Sequence, residues 1–168
     1  MNVSTVAAAH TLVFGTYSSE TASVGTGSLD FSFGTWAANG TFSANSARTA
    51  TTVTLASGSG TLADLRDAIN NAGMQVTASI LKTSDTSYSL VLQSREGEAH
   101  SMEITATEDS SATGLSSFAY TSVDANIETI TAADASFTMD GVTITRDSNT
   151  ITDLIGGVTL TVKSTNSA

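Results

Sequence analysis

Two histidines, His10 and His100, are the side chains of this sequence best suited to proton transfer or metal binding. Neither lies in an HxxxH or HExxH pattern, and the sequence has no cysteine that would complete a zinc site. A lone histidine has no second group with which to build a catalytic or metal site. We therefore expect both histidines to be surface or strand-end residues.

The carboxylates are numerous but scattered, with 16 Asp and Glu residues along the chain. No D-x-D-x-D-G calcium loop is present. Asp64 and Asp67 form the best-spaced pair, since they lie one turn apart on a predicted helix. Acidic groups in a first helical turn usually cap amides and face the positive helix end. We predict that structural role here, and no metal ligands.

Two glycine-rich segments, residues 25–27 (Gly-Thr-Gly) and 58–60 (Gly-Ser-Gly), resemble fragments of phosphate loops. Neither has the G-x-x-x-x-G-K or the G-x-G-x-x-G spacing, so both are predicted to be turns or bulges. No G-x-S-x-G motif is present to activate a serine. The sequence therefore predicts no catalytic residue, no cofactor-binding residue and no cofactor, and we expect that the protein is not an enzyme.

Four aromatic side chains remain as candidates for a binding surface. Phe118 and Tyr120 follow a polar loop, residues 108–117, and are predicted to pack in a core. Trp36 and Phe42 instead lie in a segment rich in Ala, Asn, Ser and Thr. Because tryptophan is enriched at the centres of interfaces, Trp36 and Phe42 form our candidate partner-binding surface.

Composition limits the classes of partner. The 168 residues are 40% hydrophobic and only 13% charged, with a formal net charge of −10. Such a surface repels nucleic-acid phosphates and offers anionic lipid no basic patch. No apolar run approaches the roughly 18 residues of a membrane-spanning helix. We expect neither nucleic-acid binding nor membrane insertion.

One short amphipathic helix is predicted near residues 62–72. Thr61 and Asp64 have the spacing of a capping box, and Leu62, Leu65 and Ile69 form an apolar stripe. Gly73 can adopt the left-handed conformation that ends a helix. Two alternating runs follow, around residues 76–80 and 88–93, and predict a β-hairpin.

Most of the remaining chain has the alternation of β-strands. Asp140-Gly141, between alternating apolar residues, predicts a tight hairpin because both turn positions need positive φ. The segment 35–51 is interpreted as a long hairpin or an irregular excursion. The spacing of the apolar residues within 147–157 predicts a short helical turn.

The fold class is therefore mainly β, of the α+β type, with two β-rich domains. Polar segments near residues 17–26 and 123–128 are interpreted as crossings between the two domains. This gives a discontinuous outer domain of residues 1–20 plus 123–168, with residues 21–122 as an inserted domain that carries the helix. The outer domain is predicted to have its own core of Phe137, Met139, Val142, Ile144 and Leu160.

The helix and hairpin resemble the hook IN repeat of bacterial flagellar proteins. The likeness lies in residues 62–70 (LADLRDAIN), 76–79 (VTAS) and 90–94 (LVLQS). Residues 134–160 resemble a second flagellar segment, found in the filament cap proteins that are also called hook-associated protein 2. The family often has a proline before the second glycine of Ile155-Gly156-Gly157, and this sequence does not.

The resemblance implies a structural role in a ring at the distal tip of the flagellar filament, where such proteins assist insertion of flagellin subunits. It implies self-association in the full-length cap, contact with flagellin and hook–filament junction proteins, and an extracellular location reached through the flagellar secretion apparatus. The N-terminus lacks the features of a cleavable signal. The family's terminal helices are not present in this sequence, which has no long heptad pattern.

Two alternatives remain open from sequence. One is the variable outer domain of a flagellin or of another hook-associated protein. The other is an adhesin or glycan-binding module that recognises host surface glycans, which the acidic, Ser/Thr-rich surface and Trp36 would allow.

Overall fold

Alternating apolar and polar residues place most of this chain in antiparallel strands, and a computed structural model describes residues 1–166. A single α-helix interrupts the strands, as the sequence predicts. The elements, in chain order, are β1 (Asn2–Thr5), β2 (Ala9–Tyr17), β3 (Gly27–Trp36), β4 (Phe42–Ala44), β5 (Thr51–Leu55), α1 (Leu62–Asn71), β6 (Thr77–Ser84), β7 (Ser87–Glu96), β8 (Ser101–Glu108), β9 (Glu128–Ile130), β10 (Ala135–Met139), β11 (Val142–Arg146), β12 (Thr150–Ile155) and β13 (Val158–Thr161).

The larger of two structural units contains two antiparallel sheets and the helix. One sheet has the strand order β6-β7-β2-β9, and in the other β3 pairs with β4 and β5 along one edge and with β8 along the other. The two sheets and the helix enclose one continuous hydrophobic core. Its largest fully buried side chains include Phe14, Phe31, Phe118 and Tyr120. The predicted core positions of Phe118 and Tyr120 are confirmed.

The helix α1 forms as the sequence predicts. The Thr61 side chain accepts a hydrogen bond from the Asp64 amide, and the Asp64 carboxylate accepts one from the Thr61 amide. Leu62, Leu65 and Ile69 are fully buried. The side chain of Asn70 exchanges two hydrogen bonds with the backbone of Ala78, which ties the end of α1 to the start of β6. Local capping and long-range packing thus act on the same ten residues.

The smaller unit contains β1, β10 and β11 in one sheet and the β12–β13 hairpin. Its core is separate from the larger one and is built on Val3, Phe137, Ile151 and Val162. Met139, Ile144 and Leu160 pack against that core, as predicted. Val142 does not, because it directly follows the turn at the end of the hairpin and is 62% exposed.

The predicted helical turn within residues 147–157 is wrong, because Thr150–Ile155 forms strand β12. Its apolar residues have a spacing that fits a helical turn, but the two-residue turn at Gly156-Gly157 folds the next strand back onto it. Pairing with β13 then satisfies the backbone groups that a helical turn would have satisfied internally.

The division between the two cores lies closer to the chain termini than residues 20 and 123. Strand β2 pairs with β7 and β9, so residues 9–17 and 128–130 belong to the larger unit's sheet. Residues 22–26, interpreted as a crossing, pack within the larger unit, where Val24 is 1% exposed. The chain passes between units near the Ala8–Ala133 bridge. The existence of two independent domains stays a prediction.

Candidate partner-binding surface

The predicted surface residues Trp36 and Phe42 face each other across the β3–β4 hairpin. Their ring centroids lie 4.9 Å apart. Two contacts fix Trp36 on the side that faces the core. Its Nε1 donates a hydrogen bond to the Met102 carbonyl at 3.0 Å, and its ring packs edge-on against Tyr120 with the ring centroids 5.6 Å apart. Both predicted residues are half-buried. They therefore join the core to the surface, and their role in partner binding stays a prediction.

A groove of about 550 Å³ begins at Trp36. Its two sides come from the turn after β3 and from the segment that leads into β9. Val123, one of the lining residues, has 49% of its surface exposed. The groove is lined by Trp36, Ala37, Ala38, Asn39, Gly40, Ser122, Val123, Glu128 and Thr131.

Glu128 is the only ionisable side chain that lines the groove. It is nearly enclosed, with a side-chain exposure of 10%. Its Oε1 lies 3.1 Å from Nε2 of His10, which is fully buried. Nδ1 of His10 accepts a hydrogen bond from the Met102 amide at 2.9 Å. Because Nδ1 is an acceptor, neutral His10 carries its proton on Nε2. This N–H group donates a hydrogen bond to the Glu128 carboxylate.

Electrostatics keep His10 neutral. Burial lowers the pKa of His10, and the opposing attraction of Glu128 is too weak to reverse that shift. Burial also raises the pKa of Tyr120 to about 12, and Glu128 adds to that rise. Among residues 1–166, no lysine or arginine nitrogen lies within 4.0 Å of the Glu128 carboxylate. The groove thus presents a carboxylate that no cation neutralises.

Both histidines lie at strand ends, as one half of the expectation has it, since His10 is the second residue of β2 and His100 directly precedes β8, but neither is at the surface. His10 is 0% exposed, and His100 is 6% exposed in the short turn before β8. Burial lowers the pKa of His100, and the positive charges of Arg48 and Arg95 lower it further. The sequence missed this because each histidine is buried by strands distant in the chain. His10 and Glu128 are separated by 118 positions.

The other candidate residues are where the sequence predicts them. Asp64 caps α1, and Asp67 forms an exposed ion pair with Arg66 at 2.8 Å. In the part of the chain that the structure describes, no group of three or more His, Cys, Asp or Glu side chains is arranged to hold a metal ion. The helical part of residues 1–166 contains no segment with the length and hydropathy of a membrane span.

Comparison with known proteins shows which proteins this chain resembles. Residues 132–168 match the family model described as Flagellar hook-associated protein 2 C-terminus. The flagellar hook-associated protein 2 of Salmonella typhimurium is 36% identical over 99 residues, which cover 58% of this chain and 21% of that protein. Both matches are to hook-associated protein 2. The resemblance of the two sequence segments to that family is confirmed.

Solved structures of this family share the fold over nearly the whole chain. The D2-D3 domains of the flagellar cap protein FliD from Serratia marcescens are 26% identical, with a TM-score of 0.80 over 99% of this chain and 86% of that one. FliD (HAP2) from Pseudomonas aeruginosa is 25% identical, with a TM-score of 0.71 over 98% of this chain and 72% of that one. The D1-D2-D3 structure from Escherichia coli, 23% identical, shows the same fold with a TM-score of 0.80 over 99% of this chain and 48% of that one.

The chain spans only part of the proteins that it resembles. It spans 21% of the Salmonella protein in the matched region and 48% of the Escherichia coli D1-D2-D3 structure. The Serratia structure, which contains only the D2 and D3 domains, is covered to 86%. The mainly β fold class is confirmed by these matches.

Proposed function

We propose that this chain is the middle portion of a flagellar filament cap protein, with a structural and not an enzymatic role. The observation that carries the proposal is the match to cap-protein D2-D3 domains over 99% of the chain at 26% identity. The 36% identity to hook-associated protein 2 over 99 residues supports it independently. Two separate hydrophobic cores give the chain the rigidity that a structural part requires.

In this role the full-length protein lies at the distal tip of the filament, outside the cell, after export through the flagellar secretion apparatus. It associates with copies of itself to form the cap, and it contacts flagellin and the hook–filament junction proteins. The acidic, cysteine-free composition suits this location, because the fold needs no disulfide formation after export. The half-buried Trp36 and Phe42 are the proposed contact residues for one of these partners.

The location can be tested in cells. We would raise antibodies against residues 1–168 and label flagella of the source bacterium with gold particles for electron microscopy. We expect label at filament tips only. Label along the whole filament would instead identify an outer domain of a flagellin, and label on the cell body without tip label would favour an adhesin.

The assembly role needs a second measurement. In a strain that lacks its cap protein, expression of the full-length protein should lengthen filaments and reduce the monomeric flagellin found in the medium. A matched variant carries Leu65→Asp, which places a charge in the fully buried helix stripe and unfolds the larger unit. Equal filament growth with this variant would contradict a role for this part of the protein. A glycan array with the purified chain tests the adhesin alternative.

A further inference from the structure

Exposed apolar side chains in the larger unit lie at two separate places. Among its described residues, the large hydrophobic side chains that are well exposed are Leu81, Val123 and Ile130. Leu81 lies near the tip of the β6–β7 hairpin, Val123 lines the groove beside Trp36, and Ile130 ends β9, the strand that begins with Glu128. Because a single exposed apolar side chain is ordinary on a protein surface, the case for each site rests on the charged group beside it.

The first site is cationic. Lys82 follows Leu81 on β6 and is 52% exposed, with its ammonium group 6.0 Å from the centre of the Tyr88 ring. Its one ion-pair neighbour, Asp85, lies 3.6 Å away and is itself completely exposed to solvent. Such a surface pair is weak and opens readily. The hairpin tip of Leu81, Lys82 and residues 84–87, here called the tip, therefore offers one apolar and one positive side chain on opposite faces of the hairpin, so both can make contacts when the tip enters a groove edge-on.

The second site has the complementary character. The groove has an apolar wall of Trp36 and Val123, and it contains the Glu128 carboxylate. The hydrogen bond from neutral His10 leaves the negative charge of Glu128 in place. A cationic side chain that enters the groove would neutralise this charge in an enclosed setting, where charged pairs interact more strongly than at the open surface.

The two sites lie at opposite ends and on opposite edges of one sheet. Strands β6 and β9 are the two outer strands in the order β6-β7-β2-β9. Along β2, the groove end is marked by the pairing of Leu12 with Glu128, and the tip end by the pairing of Tyr17 with Tyr88. Five residues of strand correspond to roughly 17 Å, and the tip continues beyond Tyr88. One molecule cannot join its own two sites.

We propose that the tip of one copy of this chain docks in the Trp36–Glu128 groove of a second copy, with Lys82 paired to Glu128 and Leu81 packed against Val123. The proposal rests on the proposed cap function, since it names the contact by which copies associate. A contact between two different surfaces of the same subunit is head-to-tail, and it closes into a ring when the rotation per subunit allows.

Charge complementarity favours a second copy as the occupant. A chain with 16 acidic residues and only six Lys and Arg repels itself over most of its surface. Three of the four arginines, Arg66, Arg95 and Arg146, already lie in ion pairs with Asp or Glu of the same chain. Lys82 combines a positive charge with an exposed apolar neighbour, and the groove combines the opposite charge with the exposed Val123 and the half-buried Trp36.

Cysteine cross-linking tests the contact directly, because the chain has no cysteine of its own. We would mix the Leu81→Cys chain with the Val123→Cys chain at high protein concentration under mild oxidation. The matched control replaces the second partner with Val142→Cys, a more exposed valine on the smaller unit. We expect the 81–123 disulfide to form roughly tenfold faster than the 81–142 disulfide, since docking raises the local thiol concentration.

Charge reversal provides a second measurement. Lys82→Glu should weaken self-association by about tenfold or more in sedimentation velocity, because it places two like charges in the contact. Lys163→Glu makes the same change of charge at an exposed site on the smaller unit and should have little effect. Both substitutions lie at exposed positions, so neither should unfold the chain.

The outcomes separate the two proposals. Equal rates for the 81–123 and 81–142 disulfides, or equal association of Lys82→Glu and Lys163→Glu, would overturn the tip-in-groove contact and leave the cap function standing. A chain that does not associate at any concentration would also overturn the contact. Failure of gold label to reach the filament tip would overturn the cap function, whatever the cross-linking shows.

Discussion

At the scale of single residues, His10 is the side chain through which a change of pH should reach the core of the larger unit. This histidine is enclosed between Met102 and Glu128, with Nδ1 accepting from the Met102 amide and Nε2 donating to Glu128. Protonation of Nδ1 would replace an acceptor with a second donor facing the Met102 N–H group. Burial lowers the pKa of His10, because a charged imidazolium would lose its hydration there.

We predict that acidification destabilises the chain through His10. The unfolded chain protonates this histidine near its ordinary value of 6.5, whereas the folded chain holds a lower pKa. Stability is therefore fully present above about pH 6.5 and falls as the pH drops below it toward the folded value. Urea unfolding at about pH 7.5 and about pH 5 measures this loss.

His10→Asn is the informative variant, because its side-chain oxygen can still accept from the Met102 amide but cannot be protonated in this range. It should be less stable at neutral pH and lose less stability on acidification. His100→Asn is needed alongside, since the pKa of His100 is also lowered. Glu96, whose pKa is lowered from 4.5, affects stability mainly below about pH 4.5, outside the range between pH 5 and pH 7.5. An unchanged pH slope in His10→Asn would contradict the prediction.

At the scale of elements, local signals predicted what local interactions decide. The capping box at Thr61 and the hairpin at Asp140-Gly141 formed as expected, because a few adjacent residues specify each of them. Strand β12 was mistaken for a helical turn because Ile151, Leu154 and Ile155 have the spacing of one helix face. This segment forms a strand because it pairs with β13. The spacing of apolar residues within one segment gives no information about the strand with which it pairs.

We predict that Gly141→Val destabilises the chain by about 1–3 kcal/mol. Asp140 and Gly141 both have positive φ, at 50° and 84°, as a two-residue turn of this kind requires. A Cβ at Gly141 would meet no atom within 4 Å, so the whole penalty is backbone strain. Thermal unfolding followed by circular dichroism gives the measurement.

Gly156→Val is the matched control for that substitution. Gly156 lies in the neighbouring hairpin turn, also has open space around its Cβ position, and does not have positive φ. The same change of side chain should therefore cost much less at position 156. Equal destabilisation by both substitutions would mean that strain at Gly141 is not the cause.

At the scale of the whole molecule, the sequence predicted two β-rich units but not the line between them. The polar segment after β2 is interpreted from sequence as a crossing, which groups β2 with β1, yet β2 pairs with β7 and β9. The candidate surface was found in part. The sequence indicates Trp36 and Phe42, because they are aromatic residues in a polar segment. It does not indicate the contact between His10 and Glu128, which forms only when two strands distant in the chain pair. Local pattern carries no information on such pairings.

We predict that Asn149 couples the two units. Its Nδ2 donates to the Ala7 carbonyl at 2.8 Å and to Glu96 at 2.7 Å, and its Oδ1 accepts from the Ala7 amide at 2.9 Å. Burial alone would raise the pKa of Glu96, but hydrogen bonds from Ser148 and Asn149 outweigh burial and hold it below its usual value. Asn149→Ala should destabilise the smaller unit by about 2–4 kcal/mol.

Two spectroscopic signals can separate the units in that experiment. The only tryptophan, Trp36, lies in the larger unit, so its fluorescence follows that unit alone, whereas circular dichroism follows both. In Asn149→Ala we expect the dichroism to change at lower denaturant concentration than the fluorescence. The control Asn126→Ala removes an asparagine whose side chain bonds only to nearby Asp124. Coincident transitions in Asn149→Ala would contradict the coupling.

The final prediction concerns the state of association. We expect the chain to be a folded monomer in dilute solution at low salt, because each unit encloses its own core and a net charge of −10 opposes contact between copies. Added salt screens this long-range repulsion but weakens an enclosed Lys82–Glu128 pair much less. Association should therefore rise with both salt and protein concentration. Light scattering coupled to size exclusion measures the mass directly. A stable ring-sized species at low salt and micromolar concentration would show that the contact overcomes the repulsion without the rest of the protein.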